Sequence, residues 1–149
     1  MKNTRPAIAA VIAVSAALLF SGCASGGGSS ATTTAAAGSD CSKLHSDVRD
    51  ISNGAQNTLA TAPADADAQT ASASALADFS DQAKKLEDSY SDNKGVTSAL
   101  DDLASKIDAG QDWVKAAPVD GSDADADTQA SVTADIDKAA TAVDDACKS

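Results

Sequence analysis

The sequence contains few aromatic residues, few basic residues and almost no glutamate. Phe, Tyr and Trp make up 3% of its 149 residues, and 11 Lys and Arg stand against 22 Asp and Glu. Glu87 is the only glutamate, so aspartate carries nearly all of the negative charge. A formal net charge of −11 repels nucleic acid and anionic lipid head groups, and it excludes DNA and RNA as partners.

Residues suited to catalysis are equally scarce. His45 is the only histidine, and neither a nucleophile motif nor an orienting acid stands at a useful spacing from it. It is therefore predicted to be a surface or boundary residue. A single histidine also argues against a histidine-based metal site. We predict a protein that is not an enzyme and that holds no cofactor.

Long apolar runs are missing outside the N-terminus. Residues 7–20 carry no charge and follow Lys2 and Arg5. The run is shorter than the ~20 residues that a membrane-spanning helix needs. A basic start, a short apolar run and the small residues Ser21 and Gly22 are the layout of a secretory signal.

The end of this run, LFSGC at residues 19–23, resembles the lipobox of bacterial lipoproteins, although such boxes more often carry Leu where Phe20 stands. The resemblance covers residues 1–24. It implies that residues 1–22 are a signal peptide, that cleavage precedes Cys23, and that the Cys23 sulfur carries a diacylglyceryl group. Two such acyl chains hold a protein stably at the cell membrane, here on its extracytoplasmic side, and acylation of the Cys23 amino group stays open. The alternative is an ordinary cleaved signal or an uncleaved anchor.

Composition divides the rest of the chain in two. Residues 23–39 are rich in Gly, Ser, Ala and Thr without apolar periodicity, which predicts a flexible, disordered tether behind the lipidated Cys23. Residues 40–149 are predicted to form one acidic, Ala-rich domain. If Cys23 carries lipid, Cys41 and Cys147 have one possible pairing. An oxidising compartment favours that disulfide over two free thiols.

Within the domain, apolar and small residues recur at steps of three and four over four segments. The opposite face of each segment is polar, so no segment can bury its stripe alone. The pattern predicts an all-α fold, an up-down-up-down four-helix bundle, in which both chain ends lie at the same end. The predicted core positions are Cys41, Leu44, Val48, Ile51, Ala55, Leu59; Ser72, Leu76, Phe79, Ala83, Leu86, Tyr90; Val96, Leu100, Leu103, Ile107, Gly110, Val114; and Gln129, Val132, Ile136, Ala139, Val143.

Turn and cap residues agree with these four helices. Pro63 and Pro118 end the first and third, because proline disfavours helix in the residue before it. Ser122 followed by Asp125 is predicted to open the fourth as a capping box. Gly54 is a weak point inside the first helix, where glycine costs about 1 kcal/mol relative to alanine.

A short motif recurs sixty residues apart, as DADAQ at residues 65–69 and DADTQ at residues 125–129. Both copies follow an Ala-Pro pair. The recurrence indicates either a duplicated helical hairpin or low complexity in Ala and Asp.

Two further features are candidate binding residues. Asp123, Asp125 and Asp127 resemble the start of a calcium loop, but Thr128 and Ala134 stand where that loop needs Gly and Glu, so an acidic helix start is favoured. Trp113 is predicted to be a boundary aromatic that closes the core. The alternative is an exposed anchor for a partner.

These observations favour a membrane-anchored lipoprotein that acts as a cell-envelope interaction or adaptor module, with an envelope protein as its partner. The alternative is a small-ligand or cation-binding lipoprotein, for which a cavity at Gly110 and Ala83 would be the sign. In composition and in its terminal cysteine pair, the domain also resembles the small uncharacterised secreted helical lipoproteins of high-GC Gram-positive bacteria. That resemblance implies no activity.

Overall fold

The structure is a computed structural model that describes residues 35–120 and 122–149, with side chains from residue 41 onward. The predicted signal peptide, the lipidation site Cys23 and the first part of the tether lie outside the described residues. The described chain forms four helices, α1 (Ala35–Leu59), α2 (Ala66–Ser89), α3 (Lys94–Ala116) and α4 (Ala126–Lys148). Successive helices pack against one another, and α4 packs against α1, so the predicted four-helix bundle is confirmed.

The first helix is longer than the sequence predicts. It begins at Ala35, whereas the predicted tether extended to Ser39. Ala35, Ala36 and Ala37 have the highest helix propensity of any residue type, which favours extension of α1 in this direction. No helix of the described chain is long and apolar enough to cross a membrane.

The disulfide closes one end of the bundle. Cys41 and Cys147 are bonded, with their Cα atoms 5.7 Å apart, and they join the start of α1 to the end of α4. At the same end, the backbone of Gly95 at the start of α3 lies close to Ala146. Both chain ends of the domain therefore meet where the predicted tether enters.

The core follows the predicted stripes on α1 and α3 without exception from Leu44 onward. On α4, Ile136, Ala139 and Val143 are buried as predicted. The prediction is wrong in detail on α2, where Ala73 and Ser80 are buried while the predicted Ser72, Phe79, Leu86 and Tyr90 are only partly covered. Small residues pack closer to the core centre than the neighbouring large ring can. On α4, the predicted Gln129 and Val132 are also only partly covered. The shared buried set is Leu44, Val48, Ile51, Ala55, Leu59, Leu76, Ala83, Val96, Leu100, Leu103, Ile107, Val114, Ile136, Ala139 and Val143.

Two glutamines tie the helices together at the end opposite the disulfide. Gln69 in α2 donates its Nε2 protons to backbone carbonyls at the end of α3, at 3.0 Å from Val114 O and 2.8 Å from Ala117 O. Gln129 in α4 donates in the same way to Leu59 O at the end of α1. Helix ends leave unpaired carbonyls, so both contacts satisfy groups that would otherwise need water. The two glutamines are the last residues of the recurring motif.

Glycine at position 54 allows α1 to approach α2. A Cβ atom added to Gly54 would lie 2.3 Å from Cζ of Phe79, which is too close for any side chain. The phenyl ring therefore packs directly on the α1 backbone. This contact explains why α1 stays continuous through a residue that disfavours helix.

We expect loss of the disulfide to lower the melting temperature sharply. The bond closes a loop with a sequence separation of 106, for which chain entropy corresponds to about 4.7 kcal/mol. The measurement is thermal unfolding of the chain carrying Cys23→Ser, with and without reductant, where we expect a drop of roughly 10 °C or more. A Cys41→Ser/Cys147→Ser variant should melt at the lower temperature in both buffers. An equal melting temperature for oxidised and reduced protein would contradict the expectation.

We expect Gly54→Ala to destabilise the protein by about 1–3 kcal/mol, because the new methyl group would displace the Phe79 ring. The cost of that displacement is expected to exceed the gain in helix propensity from replacing glycine with alanine. Gly95→Ala is the matched control. A Cβ there would lie 3.5 Å from Asn93 Oδ1 and 3.8 Å from Ala146 Cβ, both ordinary contacts. In urea unfolding, the midpoint of Gly54→Ala should be lower than that of the unsubstituted protein, and the midpoint of Gly95→Ala should be higher. Equal midpoints for the two variants would show that the contact with the Phe79 ring is unimportant.

Candidate docking groove beside Trp113

Trp113 stands where α3 meets the start of α4. Its side chain is only 7% exposed, and its Nε1 donates a hydrogen bond to Asp125 O at 3.2 Å. Buried indole groups need such a partner, and the bond also fixes the start of α4 against α3. The structure thus places Trp113 as an aromatic that closes the core, with its edge in the wall of a surface groove.

The groove lies between the last turns of α3 and the first turns of α4, including the loop that joins them. Its volume is about 670 Å³. Six of its ten lining residues are apolar, and three of the others are aspartates. The lining is formed by Ala109, Trp113, Ala116, Ala117, Pro118 and Val132, with Asp112, Asp123, Asp125 and Thr128 at its polar rim.

Asp125 is the residue that begins α4. Its Oδ1 accepts from the Thr128 backbone N–H at 2.9 Å, and its Oδ2 accepts from the Thr128 hydroxyl at 2.8 Å. This is the N-cap role that short polar side chains take at helix starts. The predicted capping box beginning at Ser122 is therefore wrong, because Ser122 instead donates to Asp120 Oδ1 through its backbone N–H and its hydroxyl.

These hydrogen bonds also favour the ionised form of Asp125 at the groove and of Asp120 in the loop before it. The Thr128 backbone and hydroxyl donors lower the pKa of Asp125 below its ordinary value. The Ser122 hydroxyl and backbone donors lower the pKa of Asp120 in the same way. Both carboxyl groups favour the ionised form because their donors stabilise the charge. Aspartates are already charged at neutral pH, so the hydrogen bonds keep these two charged to a lower pH than usual.

Basic residues do not balance this charge within the groove, since none of the ten lining residues is Lys or Arg. Lys115 is the nearest cation in sequence. Its Nζ donates to Gln111 Oε1 at 2.6 Å and lies 3.8 Å from Asp112 Oδ1. Asp112 thus has an exposed and weak ion pair, which solvent screens. Among the described residues, Asp123 has no ion pair.

The other candidate residues lie elsewhere or do not converge. His45 is at the disulfide end, where its Nδ1 lies 2.6 Å from Asp144 Oδ2 and its side chain is 58% exposed. The other carboxylate oxygen of Asp144 is buried without a hydrogen-bond partner in the described chain. Within the described ranges, no three His, Cys, Asp or Glu side chains are grouped as a metal site would require. Asp127 belongs to the first turn of α4, beside the cap.

A larger groove runs between α1 and α4, with a volume of about 810 Å³. Its lining is formed by small and amide side chains, Gln56, Asn57, Ala60, Ala126, Gln129, Ala130, Thr133, Ala134 and Asp137. It offers no large apolar or aromatic surface, which is what dominates the energy of protein interfaces. The groove beside Trp113 is smaller but offers both an apolar floor and a charged rim.

Sequence reasoning missed the groove itself and two contacts that surround it. Neither the Nε1 bond of Trp113 nor the role of Gln69 follows from helical periodicity, because each joins two different helices and periodicity describes only one helix at a time. The recurrence of the DADxQ motif was the available signal for the two glutamines. Comparison with protein-family models, curated proteins and solved structures returned no match to this chain.

Proposed function

We propose that this chain is a lipid-anchored, extracytoplasmic interaction module whose binding surface is the groove beside Trp113. The lipobox-like stretch that ends at Cys23, with the Gly- and Ser-rich residues after it, supports the anchor. The acidic surface supports a soluble domain that stands off anionic lipid. No motif for catalysis competes with this interpretation.

The observation that carries the proposal is that the disulfide and the groove lie at opposite ends of the bundle. The disulfide between Cys41 and Cys147 lies at the end where the N-terminal segment enters. The groove lies at the other end, beside the start of α4 at Ala126. At 1.5 Å per residue, α4 separates the two by about 30 Å. An anchored domain of this design presents the groove away from the membrane.

A cavity at Gly110 and Ala83 would have favoured the alternative, a small-ligand-binding protein, but both positions are closely packed. A Cβ atom at Gly110 would lie 3.1 Å from Leu59 Cδ1 and 3.3 Å from Val132 Cγ1, so neighbouring side chains fill the space at this glycine. Ala83 is fully buried in the packed core. An adaptor needs no internal cavity, because its partner binds at the surface.

We expect the full chain to be acylated at residue 23 when it is expressed in a bacterial host that processes lipoproteins. The measurements are detergent phase partitioning, incorporation of an alkyne fatty acid, and the mass of the N-terminal peptide. The Cys23→Ser variant is the control and should partition into the aqueous phase without label. Unlabelled wild-type protein, or a mature N-terminus that does not begin at residue 23, would contradict the anchor.

We also expect a photo-crosslinking residue in the groove to capture a protein in intact cells. Ala109 is exposed on α3 and lines the groove, so Ala109 is replaced by the photoreactive residue. Ser98 is the matched control, because it is exposed on the same face of α3 three turns earlier and does not line the groove. A discrete adduct from position 109 and none from position 98 supports docking. Equal patterns from both positions would contradict it.

A further inference from the structure

An exposed apolar side chain stands beside the groove in the sequence. Val119 is the one large hydrophobic residue of the described chain that counts as exposed, at 38%. It directly follows Pro118, which lines the groove together with Trp113 and Val132. We call this apolar lining and the adjoining Val119 the apolar strip. Such strips mark interaction sites when polar residues surround them.

The surrounding polar residues carry one sign of charge. Asp112, Asp123 and Asp125 line the groove, and Asp120 and Asp127 lie within three residues of the last two. Four of these five carboxylates lie on a stretch of eight residues, 120–127. Three carboxylates beside an apolar lining, with two more nearby in sequence and no Lys or Arg in the lining, make a negative potential that attracts cationic groups.

These two features together restrict the occupant. A neutral apolar helix would remove water from Asp112, Asp123 and Asp125 without adding a cation to balance their charge, which is unfavourable. A purely polar cation would leave the floor formed by Ala109, Ala116 and Val132 in contact with water. An acidic surface, including that of a second copy of this chain, would be repelled. A segment with an apolar side chain between basic ones satisfies both the floor and the rim.

The geometry points to the groove beside Trp113 as the docking site for a cationic amphipathic segment of a protein partner. An aliphatic side chain of that segment occupies the apolar floor, and flanking Lys or Arg side chains pair with Asp112, Asp123 and Asp125. A volume of about 670 Å³ fits a short peptide segment and not a whole domain. This inference rests on the proposed function and names the chemical class of its partner.

The test uses the full mature chain with Cys23→Ser and its disulfide intact. Three ten-residue peptides of equal length are compared, an alternating Lys/Leu peptide, an alternating Lys/Ser peptide and an alternating Glu/Leu peptide. Binding is followed by the fluorescence of Trp113, the only tryptophan, and by amide chemical shifts. We expect the Lys/Leu peptide to bind at least tenfold more tightly than the Lys/Ser peptide, and the Glu/Leu peptide not to bind. The shifts should fall on residues 109–132, and affinity should fall as salt rises.

Two variants with the same change of charge separate docking from general attraction. Asp112→Asn/Asp123→Asn should lower the affinity for the Lys/Leu peptide at least tenfold. Asp101→Asn/Asp102→Asn changes two exposed carboxylates on α3 outside the groove and should leave affinity within twofold. Ala116→Leu fills the floor and should also weaken binding, with a thermal melt to show that each variant is folded. Asp125 is left unchanged because it caps α4.

Several outcomes would overturn the inference. These are shifts spread over all faces, equal loss in both double variants, equal affinity for the Lys/Ser peptide, or groove shifts that arise from self-association without peptide. If any of them is observed and position 109 still gives an adduct in cells, the inference of a cationic partner is wrong but the proposed interaction module is retained. Absence of acylation and of adducts would refute the proposed function, whatever the peptides do.

Discussion

The covalent bond between Cys41 and Cys147 is the constraint on which the rest of this bundle depends. Its core consists of Leu, Ile, Val and Ala side chains with one buried indole. The alanines bury less apolar area than larger side chains would. Hydrophobic stabilisation scales with that area, and a thin core leaves a small margin over conformational entropy. Joining the two chain ends removes entropy from the unfolded chain instead of adding contacts to the folded one.

The opposite end of the bundle has no covalent bond and uses polar contacts between helices. Gln69, Gln129 and the Trp113 indole each donate to a backbone carbonyl on another helix. These bonds are worth about 1 kcal/mol each in net terms, far less than the disulfide. The far end is therefore held by non-covalent contacts alone, and a partner that binds the folded chain there would add to its stability.

Sequence pattern predicted the buried positions well on α1 and α3. Large aliphatic residues there, such as Leu100, Leu103 and Ile107, recur at helical spacing, so only one face of the helix can bury them. The pattern was wrong on α2, because it placed the large Phe79 ring in the core, whereas the smaller Ala73 and Ser80 are the buried residues. That choice depends on Gly54 of α1, which accepts the Phe79 ring. The groove was also unpredictable, since its walls come from two helices and a loop whose relative positions are fixed only by tertiary contacts.

The recurring motif allows the α1–α2 and α3–α4 hairpins to be compared, and the loops that precede the motif are where they differ. Both copies begin a helix with an aspartate cap, at Asp65 and Asp125, and both end in a glutamine that binds a distant helix end. The two preceding loops differ, because residues 60–65 join α1 to α2 whereas the longer segment 117–125 joins α3 to α4. In the first loop, Pro63 is buried two residues before the cap. In the second, the proline stands seven residues before the cap, and the longer loop contributes Asp123 to the groove and places Val119 and Asp120 next to it in sequence. The helix-end contacts are common to both hairpins, whereas the extra loop residues belong to one of them, and these are the residues that the proposed binding surface uses.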